Sequence, residues 1–149
     1  MDIINSVLKG VTDAASGFWP APPEKAGLEN GKLRPCPGTP NCVCSEYPGS
    51  PAWIEPLDAG KQSRDEALAA LKTVLGEMGG ELKKDDGDYL AATFTVPLFG
   101  FTDDVEFRFD NDASAIQVRS ASRLGFSDLG VNRSRIEELR QRFAGKQKG

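Results

Sequence analysis

Asp104-Val-Glu-Phe-Arg-Phe109-Asp-Asn-Asp-Ala-Ser114-Ala-Ile-Gln-Val118 is the stretch that decides the fold. Val105, Phe107 and Phe109 alternate with Glu106 and Arg108, the two-residue period of a strand with one buried face. Asp110 to Ser114 offers short polar side chains that bond nearby backbone, which makes a hairpin turn. Ile116 and Val118 then open the returning strand. Upstream, Leu90, Ala92, Phe94 and Val96 alternate with Ala91, Thr93 and Thr95, so another strand precedes this pair. Pro97 to Gly100 breaks it, and Asp85-Asp-Gly87 reads as the turn before it.

Helices bracket these strands. Ser63-Arg-Asp-Glu66 is a capping box, in which hydroxyl and carboxylate each satisfy a free backbone N–H. Leu68, Leu71, Val74, Leu75 and Met78 follow as one apolar stripe, and Gly79-Gly80 ends the helix. Ile136, Leu139 and Phe143 stripe a closing helix that starts near Asn132 as N-cap. Trp53-Ile-Glu-Pro-Leu57 reads as a short extended segment, placed at an edge by Pro56. The order strand, helix, three antiparallel strands, helix predicts an α+β domain over residues 52–145. Its antiparallel sheet would hold three to five strands, with the capping-box helix and the C-terminal helix packed on one face.

Residues 20–51 form a proline-rich N-terminal arm: Pro20, Pro22, Pro23, Pro35, Pro37, Pro40, Pro48 and Pro51 deny a helix and favour extended backbone. Inside it lies Cys36-Pro-Gly-Thr-Pro-Asn-Cys42-Val-Cys44. A Cys36–Cys42 bridge closes a loop that Pro37, Gly38 and Pro40 already bend, for a gain of about 2.5 kcal/mol. Cys44 is then the odd thiol, and in a reducing compartment all three stay reduced. Three thiolates without a fourth His or Cys do not make a zinc site, so no metal is expected.

Before the arm, Ile3, Ile4, Val7, Leu8, Val11, Ala14, Ala15 and Phe18 recur at helical spacing, an amphipathic helix over residues 1–19. It would dock on the domain or a partner, or lie on a membrane surface through residues 2–19. Its polar face carries only Lys9, where surface-bound helices are usually rich in Lys and Arg. It has neither the basic start nor the unbroken apolar stretch of a signal peptide. No apolar run reaches the ~18 residues of a membrane span. The expected location is cytoplasmic or peripheral to a membrane.

Composition removes several function classes. The 149-residue chain has a net charge of −4, against the basic face that nucleic-acid binding needs. It contains no histidine, which excludes Ser-His-Asp and Cys-His catalysis and His-ligated zinc together. A basic tail follows at residues 146–149.

The densest run of polar groups is Arg119-Ser-Ala-Ser-Arg123-Leu-Gly-Phe-Ser-Asp128-Leu-Gly-Val-Asn132-Arg133-Ser-Arg135. With Ile116 and Val118 facing the core, Gln117, Arg119, Ala121 and Arg123 share the opposite face of one strand. Arg119 and Arg123 then stand about 13 Å apart and cannot grip one phosphate without a bend. Arg133 and Arg135 fall in the first helical turn, where the macrodipole disfavours cations by about 0.3–1 kcal/mol each. Two readings follow. Either Asp103, Asp104 and Asp128 pair with these arginines as a structural network, or an anion binds at the helix start. The ligand set in the second reading is Arg119, Ser122, Arg123, Asn132, Arg133 and Arg135.

Gly31-Lys-Leu-Arg-Pro-Cys36-Pro-Gly-Thr-Pro-Asn41-Cys42-Val43, Phe101-Thr-Asp103-Asp104-Val-Glu-Phe, and Arg119-Ser-Ala-Ser-Arg123 through Arg135-Ile136 resemble domain-of-unknown-function family 1499. The matching blocks run over roughly residues 28 to 143. Val43-Cys44-Ser45 departs from the family pattern by placing a thiol where Ser usually follows the second Cys. The resemblance implies no activity. It marks Cys36, Asn41, Cys42, Asp103, Asp104, Arg119, Ser120, Ser122, Arg123, Asp128, Asn132, Arg133 and Arg135 as the matching polar positions.

The sequence favours a non-enzymatic binding or scaffold domain without a cofactor, taking a small anionic ligand or a protein partner near the Arg/Asp cluster. One rival is an enzyme with Asp103 or Asp104 as base and arginine clamps on a phosphate or carboxylate ester. Another is a membrane-peripheral accessory protein held by its N-terminal helix.

Overall fold

The computed structural model describes residues 27–96, 101–123 and 130–147, so the expected helix over 1–19, the first residues of the arm and Asp128 lie outside them. Ten elements follow one another: β1 (Leu28–Glu29), β2 (Lys32–Leu33), β3 (Cys42–Cys44), β4 (Leu57–Asp58), α1 (Arg64–Glu77), β5 (Glu81–Asp86), β6 (Tyr89–Val96), β7 (Phe101–Asp110), β8 (Ala115–Ser122) and α2 (Val131–Lys146). The main sheet runs β3-β8-β7-β6-β5, with β4 also pairing β8, and every pairing is antiparallel.

The alternation in β6, β7 and β8 sorts the sheet into two faces. Phe107 pairs with Val118 and with Leu90, and Phe109 pairs with Ile116, so these side chains share one face. Against it pack Leu71, Val74 and Leu75 of α1 and Ile136, Leu139 and Phe143 of α2, all nearly inaccessible. Burying each such side chain stabilises the fold by about 1.5–3 kcal/mol. The capping box forms as expected: Glu66 N donates to Ser63 Oγ at 3.1 Å, and Ser63 N donates to Glu66 Oε1 at 2.9 Å. Gly80 follows the helix because a Cβ there would meet the Phe94 ring at 2.7 Å.

The other face is charged and yet covered. Glu106 pairs with Arg119 and Arg108 with Gln117 across β7 and β8, and residues 27–35, with Glu46, close over them. Leu33, Cys44, Tyr89 and Ala91 form a second small apolar cluster beneath this cover.

The α+β class stands, with several local corrections. The sheet holds six strands rather than three to five. One addition is β5, whose Glu-Leu-Lys-Lys-Asp-Asp sequence is exposed throughout and carries no apolar alternation. Charged residues on an edge strand keep it from pairing with other chains. The other is β3, inside residues expected to lack regular structure, which extends the sheet beside β8. The hairpin before β6 turns on Gly87 and Asp88, with Asp85 and Asp86 still in β5. The strand expected from Trp53 lies instead at Leu57–Asp58, and Trp53 makes only an isolated bridge to Cys44. Asn132 is not the N-cap of α2. Gly130 is, with a φ of 83° and no side-chain cap, and Asn132 is fully buried in the first turn.

Candidate functional site

Two polar clusters and one cleft gather the residues that the sequence singles out. The first cluster lies on the covered face of the sheet. Glu106 is wholly buried and accepts from Tyr89 Oη at 2.6 Å, Gly27 N at 3.0 Å and Arg34 Nη2 at 3.2 Å. Arg119 approaches the same carboxylate at 3.5 Å and turns its Nε to the Arg34 carbonyl at 2.9 Å. Burial, with Arg34 beside it, lowers the Arg119 pKa against the pull of Glu106. Burial and the bond to Glu106 push the Tyr89 phenol well up, so it stays a neutral donor. Alongside, Arg108 holds Glu46 through two bonds of 2.6 and 2.8 Å, and Gln117 reaches Asp110 at 3.0 Å. At the far end of this face Arg123 forks onto Asp104 at 2.8 and 2.9 Å. Arg34, Arg108, Arg119 and Arg123 are thus matched by Glu46, Asp104, Glu106 and Asp110. Balanced charge is what burial of guanidiniums demands.

The second cluster lies on the helix side, at the end of the same strands. Asp103 and Asp104 are consecutive, so they face opposite ways. Arg135 Nη2 donates to Asp103 at 2.7 Å, while its Nη1 reaches Asn132 Oδ1 at 2.8 Å and its guanidinium lies 4.8 Å from the centre of the Phe94 ring. Asn132 Nδ2 donates to the Asn41 carbonyl at 3.1 Å and to Ser122 Oγ at 2.9 Å, and Ser120 Oγ donates to Asn132 Oδ1. One buried carboxamide therefore joins α2, β8 and the Cys36–Cys42 loop.

A cleft of about 460 Å³ opens beside this second cluster. The loop carrying Cys36, Pro40 and Cys42 forms one wall, residues 50–52 another, and Gly130 with Arg133 a third. Cys36 and Cys42 are joined as a disulfide, and Cys44 is a buried free thiol whose pKa burial raises. Arg133 donates to the Trp53 carbonyl at 3.1 Å, and among the described residues no carboxylate pairs with it.

The six residues expected to bind a ligand are therefore split. Ser122, Asn132 and Arg135 meet in the helix-side cluster, Arg119 and Arg123 lie on the covered face, and Arg133 borders the cleft. Of the expected network, Asp103 and Asp104 are both paired. Sequence reasoning missed Glu46, Glu106, Tyr89 and Arg34. Glu106 and Arg108 alternate with core residues on the face that carries Arg119, and that pattern alone would have placed them with it.

A family model described as "Protein of unknown function (DUF1499)" matches residues 32–143. No curated protein matches the chain.

Proposed function

The chain belongs to the DUF1499 family, whose function is unknown, and from that premise we propose that it is a non-enzymatic binding domain whose cleft takes a small anionic group. One observation carries this reading. Arg119, Arg123 and Arg135 each face a carboxylate within ion-pair distance, whereas Arg133 has none among the described residues and borders the cleft. A guanidinium bonded only to a neutral carbonyl among the described residues, beside a concave opening, attracts a carboxylate or phosphate, which its planar fork matches.

The rival enzymatic reading needs Asp103 or Asp104 as a base beside an arginine clamp. Both are hydrogen-bonded in ion pairs on opposite faces, and neither lines the cleft. A base whose lone pairs are already taken by a guanidinium is poorly placed to accept a substrate proton.

Native mass spectrometry of the full chain purified from its own cells tests the reading. A retained small anionic species, lost in Arg133→Gln, is the expected result. A species retained equally by both proteins would place the site elsewhere.

A further inference from the structure

We propose that the Cys36–Cys42 disulfide is a thiol-exchange site attacked at Cys36 by a dithiol, and that opening it frees the 37–40 wall of the cleft while the domain stays folded. The site itself stands on geometry alone, and only its effect on a ligand rests on the anion-binding reading above.

Access is asymmetric. Both cysteines line the cleft, but Cys36 is only half-buried whereas Cys42 is 5% exposed. An attacking thiolate therefore reaches Cys36 Sγ and leaves Cys42 as the departing sulfur. Cys44 sits two residues along the same strand and is 3% exposed, which keeps it out of reach of a reagent.

The bridge is not what fastens the flanks of its loop. On one side Arg119 donates to the Arg34 and Pro35 carbonyls, and Tyr47 Oη donates to the Leu33 carbonyl. On the other, Ser122 N and Asn132 Nδ2 both donate to the Asn41 carbonyl, and Cys42–Cys44 pairs with β8. With residues 33–35 and 41–44 held independently, residues 37–40 are restrained by the sulfur–sulfur bond together with the Thr39 hydroxyl, which donates to Asn41 Oδ1 at 2.7 Å. Those residues form part of the cleft wall.

The exchange balances as two displacements. A thiolate of the dithiol bonds to Cys36 Sγ, the disulfide breaks, and its electron pair departs on Cys42 Sγ, which takes a proton from solvent. The reagent's second thiol, as thiolate, then attacks the sulfur that the first had placed on Cys36. Cys36 is released as a thiol once protonated, and the dithiol becomes a disulfide. The protein is reduced by two electrons and the dithiol oxidised by two.

Reduced glutathione, a monothiol with no second thiol of its own to release the adduct, locates the attacked sulfur on the oxidised full-length protein at early times of reaction. After an acid quench, peptide mapping should find the adduct on Cys36 in at least about tenfold excess over Cys42. An adduct mainly on Cys42 or Cys44, or none until urea is added, overturns the site. Hydrogen exchange after dithiothreitol treatment should then quicken at the amides of Cys36, Gly38 and Thr39 and nowhere in β3 or β8. Quickening that spreads into those strands, or fails to occur, overturns the released wall. Phosphate titration in both redox states should show several-fold weaker binding when reduced, and equal binding would contradict the coupling. Absence of phosphate binding in either state would sink the anion reading, while the adduct position would still decide the exchange site.

Discussion

Arg135 holds Asp103 at 2.7 Å with both side chains at most one-tenth exposed, while the next residue, Asp104, pairs with Arg123 on the opposite face of the sheet. Neighbours in sequence thus serve separate networks, and the two pairs differ in solvation. Asp103→Ala leaves a buried guanidinium without its carboxylate and should cost about 3–5 kcal/mol of stability. Asp104→Ala faces an Arg123 that is 40% exposed, so water screens the loss to about 1 kcal/mol. Urea unfolding of both variants measures the contrast. Equal losses would mean that the helix-side cluster is not the tighter of the two.

Glu106 is the hub of the covered face. Glu106→Ala leaves both Arg34 and Arg119 facing each other without a counter-charge, and a loss of about 3–5 kcal/mol is expected. A variant with a melting temperature close to that of the parent would show that residues 27–35 do not depend on this carboxylate for docking.

Much of this arrangement was legible in the sequence. The alternation through 90–118 defined three strands and their buried face, and Ser63 with Glu66 marked the start of α1. The ion pairing of Asp103 and Asp104 was one of the two readings open for the arginines beside them. What escaped was set by tertiary context. Glu106 and Arg108 look like a solvated face, because local pattern cannot tell that a distant segment will cover them. β5 escaped because an edge strand can be polar on both faces. Asn132 has a good N-cap side chain, but Ser120, Ser122 and the Asn41 carbonyl together satisfy it inside the core, and Gly130 takes the cap position.

Acid sensitivity has a specific source in Asp110. Burial raises its pKa, but bonds from Gln117 and the Ala113 N–H, with Arg108 nearby, outweigh that and hold it below the ordinary value. A carboxylate depressed in the folded state contributes stability above its unfolded pKa of about 3.9 and loses it as pH falls through the lower folded value. Asp110→Asn should therefore lower stability at neutral pH and flatten the decline below about pH 4. Unfolding free energy measured from pH 7 down to pH 2 checks this, and an unchanged slope below pH 4 would exclude Asp110 as a contributor.

Cys44 should behave as an inert core thiol. Its raised pKa means that folding disfavours the thiolate, so its contribution is present below the unfolded pKa of about 8.5 and declines as pH rises past it. Thiol counting on oxidised protein should find one thiol after denaturation and almost no reaction before it. Two or more thiols in the denatured, unreduced sample would contradict the Cys36–Cys42 pairing.

Amide chemical shifts during phosphate titration of the oxidised full chain test whether the cleft beside Arg133 takes an anion. The amides of Gly38, Thr39, Ser50, Ala52 and residues 130–133 should shift first, and Arg133→Gln should abolish those shifts while leaving the fold intact. Shifts that begin at Arg119, Arg123 or Arg135, or that are confined to residues 146–149, would contradict it.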